Sequence, residues 1–111
     1  MIKDYTVPIE IQGKIGNRVN VFNKKHMSKT SHKYYVDIRG KFVYLMRETT
    51  DGSLDRICRL TYNGDIDNMD FAIFKYSTEK YDPKEFFFPG EKYIDGTIEG
   101  AMKAGLKAYP I

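Results

Sequence analysis

The chain has 111 residues, a formal net charge of +3 and one cysteine, with 41% hydrophobic and 30% charged residues. This length suits one domain, and both fractions are ordinary for a globular protein, so we predict a single domain over residues 1–111. Apolar runs are only a few residues long, which excludes a signal peptide or membrane span. We therefore expect a soluble, cytoplasmic protein with no membrane partner.

Aromatic residues are the compositional bias of this chain, with nine Tyr and seven Phe but no Trp. Tyr and Phe are enriched on pleated, half-buried surfaces, so the bias favours a β-sheet. The lone Cys58 lies in Ile-Cys-Arg-Leu. We interpret it as a small buried apolar residue in a reducing compartment.

The first segment with a clear pattern, residues 5–23, alternates as a strand does. Pro8 places this strand at a sheet edge, Gly16-Asn17 supplies a turn, and residues 18–22 return as a second strand. The apolar residues that share one parity are Tyr5, Val7, Ile9, Ile11 and Ile15. The pattern predicts a β-hairpin.

Residues 23–33 have no apolar period and are predicted to form a loop. Between residues 11 and 36 there is no Asp or Glu, but there are six Lys or Arg residues. The positive charge of the chain is therefore concentrated in this region.

The next alternating segment runs from Tyr34 to Glu48 with Gly40 on the same parity as its apolar residues. It could form one long strand bent at Gly40 or two short strands that turn at Arg39-Gly40. We favour the long strand because a register break would mix the two faces.

A hairpin turn is predicted at residues 50–53, where Asp-Gly supplies the required positive φ. The following strand, residues 54–62, would place Asp55 opposite Arg47 and Leu60 opposite Phe42. Residues 69–76 are apolar on both parities, which predicts a central strand covered on both sides. That second cover could be residues 86–88, a curled sheet or another subunit.

The C-terminal segment has the clearest helical spacing, with Asp95 or Thr97 as a cap and Pro110 as a stop. Its apolar stripe is Ile98, Ala101, Met102, Gly105, Leu106 and Tyr109. Asp82-Pro83 resembles a helix start, but Pro89-Gly90 limits that helix to one turn. Together these elements predict an α+β fold: a mostly antiparallel, strongly curved sheet of five to six strands with one C-terminal helix packed on it.

Motifs with specific chemistry are absent. Residues 65–76 begin like a calcium loop, but Met69, Asp70 and Tyr76 occupy positions where a ligand, a glycine and a glutamate are required. His26 and His32 lack further ligands for zinc, and the glycines at 13 and 16 fit no phosphate-binding motif. We expect no cofactor and no metal.

The first functional hypothesis is a non-enzymatic binding or interaction module that could associate with itself or with another protein. Its candidate interface residues are Phe86, Phe87, Phe88 and Tyr93. The alternative is a nucleic-acid-binding module that combines a basic loop with adjoining tyrosines. Its candidate residues are Lys24, Lys25, Lys29, Lys33, Tyr34 and Tyr35. A third option, an enzyme, would need scattered groups, namely His26, His32, Asp37, Tyr44 and Arg59.

Overall fold

The computed structural model describes residues 5–85 and 88–111 as an open five-stranded antiparallel sheet with helices, which confirms the α+β class. The helices are α1 (Ile9–Phe22, continued by a π-helical segment, Asn23–Met27), a 3₁₀ turn (Glu91–Tyr93) and α2 (Ile98–Ala108). The strands are β1 (Lys33–Arg39), β2 (Phe42–Glu48), β3 (Leu54–Thr61), β4 (Asp70–Lys75) and β5 (Lys80–Asp82). They follow the order β1-β2-β3-β4-β5, so every strand pairs with its neighbour in sequence.

The N-terminal segment is a helix, so the predicted β-hairpin is wrong. Ile15, Val19 and Phe22 recur every three or four residues and are all buried, which is the period of an amphipathic helix. Ile9 has the parity of the supposed strand face but is 85% exposed. Pro8 is the N-cap, where its missing N–H costs nothing. The burial of this helical stripe therefore determines the structure of the segment, although its apolar residues also alternate as they would in a strand.

The predicted loop at 23–33 is also partly helical, because α1 continues through Met27. Met27 is buried, and the Asn23 amide accepts a hydrogen bond from the Tyr34 N–H and donates one to its carbonyl, each at 2.9 Å. The Asn23 side chain thereby satisfies the backbone N–H and C=O of Tyr34, which point outward from β1. Only residues 28–32 form a connecting turn.

Residues 34–48 form two strands, so the single long strand is wrong and its alternative is right. Gly40 has φ +60° and begins a two-residue turn that pairs Ile38 with Val43. A positive φ at the first turn position is typical of tight hairpins. The two-residue turn exchanges the parities, so Val43 joins the face of Ile38 while Phe42 and Tyr44 lie on the other face.

The second hairpin forms at residues 49–53 as predicted, with Gly52 at φ +86° and Arg47 opposite Asp55. The predicted pair of Leu60 with Phe42 is wrong by one residue, because Phe42 pairs with Thr61. The cause is a β-bulge: Leu45 pairs with Cys58 and Met46 with Arg56, which leaves Ile57 as an extra residue.

Both residues at the bulge, Ile57 and Cys58, are fully buried. Burial raises the pKa of the Cys58 thiol well above its usual range. The lone cysteine is therefore part of the core, as its apolar neighbours indicate. A buried thiol of this kind is a poor nucleophile.

β4 is paired on both edges and buried on both faces, as predicted. Its second face is covered by the sheet's own aromatic side chains, since Phe74 contacts the rings of Tyr76 and Tyr81 at centroid distances of 4.8 and 5.0 Å. Asp82-Pro83 forms a turn after β5 and no helix, with the Lys84 N–H bonded to the Asp82 carboxylate.

The two helices pack on the same face of the sheet, where one C-terminal helix was expected. The Tyr34 hydroxyl donates to the Met102 carbonyl of α2 at 2.7 Å, and α2 approaches Ile57 at Gly105. Thr97 is the N-cap of α2 and accepts from the Gly100 N–H. No helix in residues 5–85 or 88–111 is long and apolar enough to cross a membrane.

Arg18 joins the two helices and the loop before β4. Its guanidinium contacts Glu99 in the first turn of α2 at 2.5 and 2.8 Å and Asp67 at 2.9 Å. The hydrogen bonds from Arg18 hold the pKa of Glu99 below its usual value of 4.5. A lowered carboxyl pKa stabilises the fold above the unfolded pKa, and this contribution disappears as pH falls through the folded one.

We predict that Arg18→Met lowers the free energy of unfolding by about 1 kcal/mol at pH 7, a figure that allows for solvent screening of these partly exposed groups. The difference from the native protein should become smaller at pH 3, because acid progressively protonates Glu99 and removes its ion pair with Arg18. Urea titrations at the two pH values measure it. A difference that persists unchanged at pH 3 would show that packing of the arginine stem, and not the ion pair, is responsible.

Candidate ligand-binding face of the sheet

The face of the sheet opposite the two helices is called here the open face. Cross-strand partners share a face, so the register assigns its residues directly. They are Lys33, Tyr35, Asp37 and Arg39 of β1, Phe42, Tyr44, Met46 and Glu48 of β2, Leu54, Arg56, Arg59 and Thr61 of β3, Asp70, Ala72 and Phe74 of β4 and Tyr81 of β5. A sheet face that exposes aromatic and cationic side chains is a candidate binding surface.

The bulge at Ile57 brings two arginines to the open face. Arg56 and Arg59 are three residues apart, so in a regular strand their side chains would point to opposite faces. Here Arg59 pairs with Tyr44 and Arg56 with Met46, and both partners lie on the open face. Bulges often redirect side chains beside functional sites.

Four aromatic rings form a connected row across strands β2, β4 and β5. The ring centroids of Phe42 and Tyr44 are 6.0 Å apart, those of Tyr44 and Tyr81 5.5 Å, and those of Tyr81 and Phe74 5.0 Å. Such edge and tilted contacts stabilise one another beyond their buried area. Phe74 is buried within the row, whereas the other three rings are partly exposed.

The arginines are layered on these rings. The guanidinium carbon of Arg59 is 4.6 Å from the centroid of Phe42 and 5.3 Å from that of Tyr81, and the carbon of Arg56 is 5.4 Å from that of Phe74. The Arg59 Nε is buried and has no hydrogen-bond partner in the described part of the chain. Within the same part, no carboxylate forms an ion pair with either arginine.

A shallow cavity of about 360 Å³ opens beside these groups. It is lined by Asp37, Arg39, Tyr44, Met46, Arg56 and Tyr81. The Arg39 Nε donates to the Asp37 Oδ2 at 2.9 Å. Burial is the main cause of the raised pKa of the Tyr81 phenol, so this ring stays neutral and can donate a hydrogen bond at ordinary pH.

The residues proposed for nucleic-acid binding lie in different parts of the structure. Tyr35 is 39% exposed on the open face, and the Lys33 Nζ lies 5.1 Å from its ring centroid. Tyr34 is only 2% exposed and bonded to α2, so its ring has no surface for a ligand. Lys24 shares a groove with Lys33 near the end of β2, and Lys25 lies on the helix side beside Glu99 and Lys103. Lys29 is exposed in the turn before β1.

The residues proposed for an enzyme site also lie in different parts of the structure. Asp37, Tyr44 and Arg59 occupy one row across β1, β2 and β3. His26 stacks on Phe22 at the end of α1, with ring centroids 4.5 Å apart. His32 lies in the turn before β1. In residues 5–85 and 88–111, no three His, Cys, Asp or Glu side chains are grouped to hold a metal ion.

Two of the residues proposed as a protein interface, Phe88 and Tyr93, pack against the rest of the structure. Phe88 is half-buried and stacks on Phe71, with ring centroids 6.1 Å apart, and Tyr93 packs against the same core. Phe86 and Phe87 lie outside the described residues. The open face carries three tyrosines that are exposed or half-buried, namely Tyr35, Tyr44 and Tyr81.

The candidate residues from the sequence do not include several members of the open face, among them Arg39, Phe42, Met46, Arg56, Phe74 and Tyr81. The parity of β2 would have identified Phe42 if the turn at Gly40 had been recognised. Arg56 could not be found from parity because the bulge changes the face of the strand.

No family model, no curated protein and no solved structure matches this chain.

Proposed function

We propose that the protein is a non-enzymatic binding module that binds single-stranded nucleic acid on its open face. The observation that carries the proposal is the layering of Arg59 between the rings of Phe42 and Tyr81 without a carboxylate partner. An arginine that has no internal counter-ion can bind an external anion. Arg56, beside it, adds a second cation of the same kind.

Nucleic acid provides both chemical features that this surface requires. Its phosphates pair with arginine, and its bases stack on aromatic rings or on guanidinium planes. Tyr35, Tyr44 and Tyr81 are exposed or partly exposed on the open face. A single strand fits better than a duplex because only unpaired bases can present their faces to these rings.

The basic loop supports the same proposal from one end of the sheet. Lys33 lies on the open face beside Tyr35, and Lys24 is close to it in the adjoining groove. Both extend the cationic surface from the arginines towards the end of α1. Lys25, on the helix side, is not part of this surface.

Fluorescence anisotropy with a labelled 12-nucleotide single strand tests the proposal. We expect micromolar affinity at about 50 mM salt and weaker binding to the matching duplex. Two or three phosphate contacts predict a slope between about −1.4 and −2.1 for log K against log salt, since each contact on a single strand contributes about −0.7. Because the chain has no Trp, stacking should also quench its tyrosine fluorescence directly.

Equal affinity for the single strand and the duplex, or no binding up to about 100 µM protein, would contradict this proposal. Light scattering under the same conditions examines the competing proposal, self-association through the open face. In that case the mass would rise with protein concentration, and oligonucleotide would have no effect on it.

A further inference from the structure

We infer that the cavity beside Asp37 is a subsite for a guanine base, an inference that rests on the proposed binding of single strands. Asp37 is the cross-strand neighbour of Tyr44, whose ring lies 5.5 Å from that of Tyr81. Arg56 and Met46 also line the cavity. The subsite thus combines rings for stacking with one carboxylate and two guanidinium groups.

The carboxylate of Asp37 is the feature that requires explanation. A negative charge in the middle of β1, on a face that would bind phosphates, opposes the binding of the phosphate backbone. Its Oδ2 accepts from Arg39, whereas its Oδ1 has no hydrogen-bond partner among residues 5–85 and 88–111. A carboxylate at this position is useful if it accepts hydrogen bonds from the ligand.

Guanine is the base whose Watson–Crick edge matches a carboxylate. It presents two adjacent donors, N1–H and the N2 amino group, and an ionised carboxylate has two acceptor oxygens. Adenine and cytosine present one amino donor beside a ring-nitrogen acceptor, and uracil presents one N–H between two carbonyls. Each of these bases would direct at least one acceptor at Asp37.

Arg39 completes the match to guanine. It lies next to Asp37, with its side chain 77% exposed, so its hydrogen bond to Asp37 is an exposed ion pair that is readily rearranged. Arginine donates to the O6 and N7 acceptors of guanine in many complexes. Asp37 and Arg39 can therefore contact adjacent groups on a single base, while Tyr44 or Tyr81 stacks on its ring.

Nine-nucleotide uridine strands that differ only at the central base test the inference. The central base is guanine, inosine, adenine, cytosine or uracil, and anisotropy gives each dissociation constant. We expect the guanine strand to bind at least 10-fold tighter than the adenine, cytosine and uracil strands. Inosine, which lacks the N2 amino group, should bind about 3- to 10-fold more weakly than guanine because one hydrogen bond is lost.

Asp37→Asn should abolish the preference for guanine while leaving the all-uridine strand bound as tightly as before or more tightly, because a negative charge is removed. Asp70→Asn is the matched control. Asp70 pairs with Thr61 at the far end of β3, away from the cavity, so this variant should keep the preference of the native protein.

The outcomes separate the two proposals. If all strands bind with the expected salt dependence but guanine has no advantage, the guanine subsite is wrong and the proposed function stands. If Asp37→Asn and Asp70→Asn reduce the preference equally, Asp37 is not the recognising group and the inference fails. If no strand binds, both proposals fall.

Discussion

Replacing Arg56 and Arg59 together with glutamine is expected to weaken binding of a 12-nucleotide single strand about 100-fold. Each guanidinium would lose one charge-assisted hydrogen bond to phosphate, and a loss of about 1.4 kcal/mol per site corresponds to a factor of 10 at each. Arg59 would also lose its stacking surface between Phe42 and Tyr81. Anisotropy titrations at a fixed salt concentration measure the change, and the salt slope should fall by about 1.4.

A control with the same change in charge shows whether the position of the arginines matters. Lys103 and Lys107 are exposed on α2, on the other side of the sheet. Replacing both with glutamine also changes the net charge from +3 to +1, since two cations are removed in each variant. We expect a loss of no more than about 3-fold from this long-range charge effect. Equal losses in the two variants would indicate non-specific attraction and would contradict a site on the open face.

Gly105→Ala is expected to lower the free energy of unfolding by about 2 kcal/mol, although alanine is the better helix former. A Cβ at this position would lie 2.5 Å from the Ile57 Cγ2 and 2.6 Å from the Tyr34 Oη. Both neighbours are buried, and the Tyr34 hydroxyl is held by the Met102 carbonyl. Overpacking at the upper end of the usual range, about 3 kcal/mol, less the helical gain of about 1 kcal/mol leaves a net loss of about 2 kcal/mol.

Gly13→Ala is the matched control, because a Cβ there meets no atom within 4 Å. Gly13 is exposed in α1, so alanine should raise stability by about 0.5–1 kcal/mol. Urea denaturation followed by circular dichroism compares both variants with the native chain. Stabilisation by Gly105→Ala would show that α2 does not approach the sheet closely, and destabilisation by Gly13→Ala would argue against a helix at residues 9–22.

The sequence predicted correctly the elements whose signals are local. Thr97 and the apolar stripe define α2, and Asp51-Gly52 defines the second hairpin, because capping and turn chemistry act within a few residues. The apolar run of residues 71–74 predicts a buried interior strand in the same way. Lys33 and Tyr35, which the composition of the segment marks as candidates for nucleic-acid binding, lie on the open face, and their role in binding stays a prediction.

The errors arose where two periods fit the same residues. Ile11 and Ile15 satisfy both an alternating and a helical pattern, and only the burial of Val19 and Phe22 against the sheet selects the helix. At Gly40, alternation continued through a two-residue turn, so the parity of the apolar residues did not reveal that the chain reverses. At residues 9–22 long-range packing outweighs the local pattern, whereas at Gly40 the chain reverses through the positive φ of a two-residue turn.

By itself, then, the sequence determined the α+β class, the C-terminal amphipathic helix and the aromatic and cationic residues of a candidate binding surface. Which side chains form that surface was decided only by the tertiary structure. The extra residue Ile57 is accommodated as a bulge because both it and Cys58 can be buried, with Ile57 lying against Gly105 of α2. That burial turns Arg56 onto the same face as Arg59. An alternating sequence pattern cannot show which face Arg56 occupies. The face of a residue beyond a bulge depends on where the bulge forms, and that depends on which side chains the core can bury.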